Sequence, residues 1–294
     1  MLAAITSNRS PVASLWRPSL SRCPDSPVRL LVCPYRQTPG GAMLERSAHT
    51  AYPPRSPCLV TAGASSTLSK EFFMAMMSFS APAERDKSLW LIKKESNPNH
   101  SQWYIDRFKA MEAEGNDIAG ESRLLDAMAS RGAKILDAGS GPGRVGKQLH
   151  ALGHRVTGVD IDPELIEEAR RVCPDATWIT ADLVDLPEVL GIEGDATAEN
   201  GFELLVCAGN VMGFLARSTR KPVVENFRRV LAPGGRAVVG YGSGPGRDYA
   251  FEQFLADARE VGLNVDNTYS SWQMHPFVEG SSEYLVAVLS RPAS

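Results

Sequence analysis

Apolar residues recur along this chain in two rhythms. Short dense runs such as Ala133-Lys-Ile-Leu-Asp137, Val156-Thr-Gly-Val-Asp160, Trp178-Ile-Thr-Ala-Asp182 and Phe202-Glu-Leu-Leu-Val-Cys207 have the length of buried parallel strands. They predict strands near residues 133–138, 155–160, 176–182, 202–208 and 236–242. Between them the apolar positions fall at helical spacing, which predicts helices near 144–152, 163–172 and 219–231. A helix at 248–262 then precedes two strands, near 264–273 and 283–290, whose short connection requires antiparallel pairing. Alternating strands and helices imply a doubly wound, mostly parallel seven-stranded α/β sheet, closed by a C-terminal antiparallel hairpin. Ahead of it, residues 88–131 carry helical patterns with aromatics at helical spacing, Trp90, Trp103, Tyr104 and Phe108 among them.

Before about residue 75 neither rhythm persists. Nine of the 20 prolines lie in residues 1–70, with eight basic residues and only Asp25 and Glu45 as acids. That composition does not bury a core, and residues 1–75 are expected to be a disordered leader. Upstream sequence ahead of an internal start at Met74, Met76 or Met77 gives the same pattern, as does an organelle transit peptide. Setting eight of the 31 basic residues and two of the 34 acids aside leaves residues 71–294 with a net charge of −9. Such a surface repels a phosphate backbone, so a nucleic-acid substrate is not expected. No run of about 18 apolar residues suggests a membrane span. The five cysteines are widely separated and form no C-x-x-C pair, which favours a reducing, cytoplasmic setting over a disulfide framework or zinc site.

Candidate chemistry concentrates where the first strand turns into its helix: Asp137-Ala-Gly139-Ser140-Gly141-Pro-Gly143-Arg-Val-Gly146. Glycines at every second position let a ligand approach peptide amides at the positive end of a helix. Read from Gly141, the loop satisfies the dinucleotide pattern, with an acid, Asp160, about 20 residues on. An acid at the tip of the second strand can accept both hydroxyls of a ribose, so a nicotinamide site and an adenosylmethionine site both fit at this point.

The order of the later phrases discriminates. Asp137 precedes the glycines; Asp160-Ile161-Asp162-Pro163 closes the second strand; Asp182-Leu183 follows the third; and Leu231-Ala-Pro233-Gly234-Gly235 precedes the fifth. In this series the chain resembles the class I S-adenosylmethionine-dependent methyltransferases over about residues 88–291. The resemblance implies S-adenosyl-L-methionine as cofactor and methyl transfer to a small-molecule acceptor. It also implies cofactor contacts from Asp137, Gly139, Ser140, Gly141, Gly143, Asp160, Ile161, Asp182, Leu183 and Asn210, with Asp160 on the ribose and Asp182 on the adenine amino group. Residues 88–131 would form a lid over a core at 132–291, with Tyr104 covering the pocket and Arg107 pairing with the methionine carboxylate. Asn210 is the candidate catalytic residue, at the carboxyl end of the fourth strand between Gly209 and Gly213.

Two departures from the family bear on the acceptor. Glu203 stands where the fourth strand usually begins with Asp, and Cys207-Ala-Gly-Asn210 replaces the N-P-P-Y phrase of amino-directed DNA methyltransferases, which argues against a nucleobase. A nicotinamide-dependent oxidoreductase would need an acid-base pair such as Tyr-x-x-x-Lys near strand four or five, and none is found there. A methyltransferase-like scaffold without turnover is the remaining alternative. His150 and His154, at the end of the first core helix, read as structural, and Cys207 as a small buried apolar residue.

Overall fold

The apolar runs become strands close to the expected positions. In a computed structural model, which describes residues 85–293, the core strands are β1 Lys134–Ala138, β2 Arg155–Asp160, β3 Thr177–Thr180, β4 Phe202–Cys207 and β5 Leu231–Gly242, followed by β6 Asn264–Tyr269 and β7 Tyr284–Ser290. The leader at 1–75, with Cys23, Cys33 and Cys58, lies outside the described residues. The helices are α1 Leu89–Ser96, α2 His100–Ala113, α3 Gly120–Met128, α4 Arg144–Ala151, α5 Pro163–Val172, α6 Leu186–Val189, α7 Val211–Phe214, α8 Arg220–Val230 and α9 Phe251–Glu260.

The strands form one sheet in the order β3-β2-β1-β4-β5-β7-β6. β1 to β5 pair in parallel, and β7 runs antiparallel between β5 and β6. Strand order reverses between β1 and β4, so the crevice for a ligand opens beyond their carboxyl ends. Alternation along the strands feeds two cores. Leu136, Leu205, Cys207 and Val239 pack on one face with Phe227, Tyr241 and Phe254, while Ile135, Leu204, Val206 and Val238 face the other with Leu125 and Leu149.

Element ends moved where backbone chemistry intervened. The last hairpin was expected to begin with a strand to residue 273, but β6 stops at Tyr269. The Ser271 hydroxyl accepts the amides of Gln273 and His275, and Ser270 N donates to His275 O at 2.8 Å, so side chain and backbone turn the chain there. β5 starts five residues before its predicted position, at Leu231, with a register shift opposite Phe202 and Leu204. Gly235 permits that shift, because a Cβ there would lie 2.8 Å from Phe202 O. α9 starts at Phe251, since Gly244 to Arg247 closes a turn through Arg247 N and Gly244 O.

Candidate cofactor site

The loop between β1 and α4 takes its shape from three glycines with positive φ, at +80° for Gly139, +53° for Gly141 and +79° for Gly143. Each does a different job. A Cβ on Gly139 would overlap Val211, and one on Gly143 would lie 2.9 Å from the Trp178 indole and 3.0 Å from Ala169. Gly141 faces the cleft, and its amide donates to Asp160 Oδ2 at 2.8 Å. The other carboxylate oxygen of Asp160 accepts Asp162 N at 2.9 Å, so the β2 tip and the glycine loop are locked together. Asp137 is also buried, and its Oδ2 accepts Gly146 N at 2.9 Å. Burial pushes the Asp137 carboxyl up to about 7 and that of Asp160 up to about 6.

Two adjoining cavities meet at this loop. The larger, of about 100 Å³, is lined from the sheet by Gly139, Gly141, Asp160, Ile161, Asp182 and Leu183, from the helices by Trp90 and Tyr104, and beyond β4 by Val211, Phe214 and Leu215. The smaller, of about 20 Å³, is lined by Asp137, Ser140, Gly141, Arg144 and Phe108. Tyr104 belongs to both. Its hydroxyl lies 3.3 Å from where a Cβ on Gly209 would stand, so its ring spans the cleft from α2 to the β4 end. Burial raises the affinity of that phenol for its proton.

The structure thus brings together seven of the expected residues, Tyr104, Gly139, Gly141, Asp160, Ile161, Asp182 and Leu183, around one cavity. Asp137 and Ser140 join them at the smaller one, and Gly143 sits behind the loop against Trp178. Two expected residues are placed elsewhere. Arg107 is exposed, its guanidinium 5.9 Å from the Trp103 ring and 6.0 Å from that of Phe108, and it reaches neither cavity. The arginine at the smaller cavity is Arg144, which pairs with Glu121 at 2.5 Å and donates to Ile118 O at 2.7 Å. Asn210 holds a left-handed backbone with φ +68°, and its Oδ1 accepts Gly242 N at 2.7 Å. It ties the loop after β4 to the end of β5 and lines neither cavity. His154 is structural as expected, with Nε2 3.0 Å from Asp126. Burial keeps the Cys207 thiol protonated.

Sequence reasoning passed over four contributors. Trp90 carried no role beyond its place in the expected lid, Phe214 and Arg144 carried none, and Asp162, just before Pro163, reads from sequence as the cap of α5. It does cap α5, accepting Glu164 N at 2.9 Å, but it also binds Trp90, Lys94 and Ser101.

These groups fit an adenosyl cofactor. A carboxylate has about four lone-pair sites, so Asp160 retains two for ribose hydroxyls after accepting two amides. Asp182 spends one oxygen on Val184 N, and its carboxylate borders the cavity. At the smaller cavity the buried Ser140 hydroxyl has no protein partner. A parallel sheet with this loop and these acids defines a Rossmann-like nucleoside-cofactor protein. A family model described as "Methyltransferase domain" matches residues 135–235. The solved TehB-like SAM-dependent methyltransferase from Corynebacterium glutamicum is 48% identical; the match covers 66% of this chain and all of that one, with a TM-score of 0.59. The ubiquinone biosynthesis O-methyltransferase of Xanthomonas campestris is 32% identical over 89 residues, covering 26% of this chain and 37% of the relative. The demethylmenaquinone methyltransferase of Tropheryma whipplei is 32% identical over 116 residues, covering 37% and 41%. The chain spans less than half the length of these curated relatives. It belongs to the class I S-adenosylmethionine-dependent methyltransferases, and its cofactor is S-adenosylmethionine.

Proposed function

We propose that this protein transfers the methyl group of S-adenosylmethionine to a small-molecule acceptor by in-line displacement. The observation that carries the reading is the convergence of Gly141, Asp160 and Asp182 on one cavity at the carboxyl ends of β1, β2 and β3. When bound, the cofactor supplies a sulfonium-activated methyl; a bond from the acceptor atom to the methyl carbon forms as the carbon–sulfur bond breaks, and its electron pair stays on sulfur. The chain's part is to hold the reactants. Asp160 takes the ribose hydroxyls, Asp182 the adenine amino group, and the Ser140 hydroxyl the methionine end. Positioning of this kind contributes roughly 7–11 kcal/mol of barrier reduction in favourable systems.

Residues 88–131 act as the lid, with Tyr104 across the cleft. Asn210 supports the acceptor side without lining it, by holding the loops after β4 and β5 together through Gly242. The net charge of −9 over residues 71–294 and relatives named for ubiquinone and demethylmenaquinone chemistry favour a small acceptor over nucleic acid. No helix among the described residues is long and apolar enough to cross a membrane; the cysteine usage supports a cytoplasmic setting. Calorimetric titration of the full chain with S-adenosylmethionine, S-adenosylhomocysteine and NAD tests the reading. Micromolar binding of the first two, absent with NAD and lost in Asp160→Ala, is expected. Failure of both sulfur ligands to bind overturns it.

A further inference from the structure

The two N-terminal helices have little apolar reason to stay where they are. α1 buries no residue fully, and α2 buries only Ser101 and Ile105. Yet together they supply Trp90 and Tyr104 to the wall of the adenosine cavity, packed edge-on with ring centroids 5.3 Å apart. Among their ties to the body, the one that gathers the most hydrogen bonds is a single carboxylate. The Asp162 side chain is fully buried. Its Oδ2 accepts Trp90 Nε1 at 2.9 Å and the Ser101 hydroxyl at 2.5 Å, while its Oδ1 accepts Lys94 Nζ at 2.7 Å and Glu164 N at 2.9 Å. Burial alone would raise this carboxyl, but the bonds from Lys94, Ser101 and Trp90 outweigh it and hold it below the usual carboxylate range.

Capping α5 needs only the bond to Glu164 N, and an asparagine caps a helix as well as an aspartate. The three remaining donors all come from α1 and α2 and go unexplained by capping. Other ties from these helices, Lys94 to Glu164, Lys109 to Glu168 and Glu112 to Lys147, are single ion pairs in which one partner is half exposed, and such pairs contribute less. Asp162 N meanwhile donates to Asp160 Oδ1, so the carboxylate that holds the helices sits two residues from the proposed ribose acceptor.

We propose that Asp162 is the latch of the cofactor lid: through Trp90, Lys94 and Ser101 it holds α1 and α2 over the adenosine cavity and sets the rate at which S-adenosylhomocysteine leaves. It is a positioning residue, acting through Trp90 and Tyr104, and the role rests on the cofactor reading given above. Opening breaks charge-assisted bonds to a desolvated carboxylate, the strongest polar attachments these helices have. These bonds must break before the Trp90 and Tyr104 rings leave the cavity wall, so the latch controls the motion.

Hydrogen exchange of the free protein and stopped-flow displacement of S-adenosylhomocysteine test the latch together, in Asp162→Asn, Lys94→Met and the double variant. Asp162→Asn keeps the cap and loses the charge. Peptides spanning 89–113 should exchange faster in both single variants, while those spanning 163–172 stay protected. Dissociation of S-adenosylhomocysteine should accelerate on the order of tenfold in each, and the double variant should add little. Unchanged exchange in 89–113, or exchange that rises equally in 163–172, overturns the latch. A wild-type protein that binds no S-adenosylhomocysteine refutes the cofactor reading instead, and the exchange arm still decides whether Asp162 holds the helices.

Discussion

The sheet side of the larger cavity and its helical side are built from different materials. On the sheet side the wall is backbone: Gly139 and Gly141 in left-handed conformations, Gly143 against Trp178 behind them, and two amides on Asp160. On the helical side the wall is two aromatic rings, Trp90, which donates to Asp162, and Tyr104, on a helix whose Ser101 donates to the same carboxylate. The first wall is rigid because a Cβ added at Gly139 or Gly143 would collide with the side chains behind it. The second is the wall proposed to move, because its helices bury only Ser101 and Ile105 fully. A cofactor site needs both, one wall to define geometry and one to let the ligand pass.

Breaking the rigid wall from behind should have the largest effect. Trp178 fills the space left by Gly143, Gly146 and Gly158, and Trp178→Ala should lower unfolding free energy by roughly 3–5 kcal/mol in chemical denaturation. Breaking it from the front is next. Gly139→Ala puts a Cβ into Val211 at a φ of +80°, and calorimetry should show cofactor affinity falling on the order of 10- to 100-fold. An affinity within twofold of wild type would mean that the loop yields as readily as the lid.

Protonation probes the same wall more gently. Asp137 and Asp160 have carboxyls raised to about 7 and about 6, against an ordinary value of 3.8. A raised carboxyl favours folding below its unfolded value, and that contribution disappears as pH rises through the folded one. Their joint contribution to stability should therefore decline between about pH 4 and pH 7, and Asp137→Asn should flatten the decline in melts taken across that window. Cofactor affinity should move the opposite way and fall as pH drops below about 6, because a protonated Asp160 accepts less well; Asp160→Asn should remove that dependence.

The smallest effect is expected on the movable side, at its outer surface. Arg107→Ala should leave cofactor affinity within about twofold, since the guanidinium rests on exposed aromatic faces. A loss of tenfold or more in the same titration would place Arg107 inside the closed lid.

How much of this was readable from residue order follows the same division. β1, β2 and β4, α4 and α5, the left-handed glycines and the acids at 137, 160 and 182 were all visible, because each depends on neighbours a few positions away. Alternation sets a strand's faces, a glycine sets its own φ, and an acid after a strand stands at the sheet's carboxyl edge whatever surrounds it. Contacts between distant segments were another matter. Arg107 and Arg144 are chemically the same side chain, and only packing put Arg144 beside the smaller cavity and left Arg107 on rings at the surface. Asn210 was placed at the right strand end, but its bond to Gly242 depends on β5 lying next to β4. Asp162 announced itself as a helix cap through Pro163; its bonds to Trp90, Lys94 and Ser101, 61 to 72 residues away, exist only once α1 and α2 have docked. Local pattern therefore determined the sheet, its glycine turn and its acids, whereas tertiary packing decided which side chains close the site, because a hydrogen bond between residues far apart in the chain leaves no mark on the periodicity of either segment.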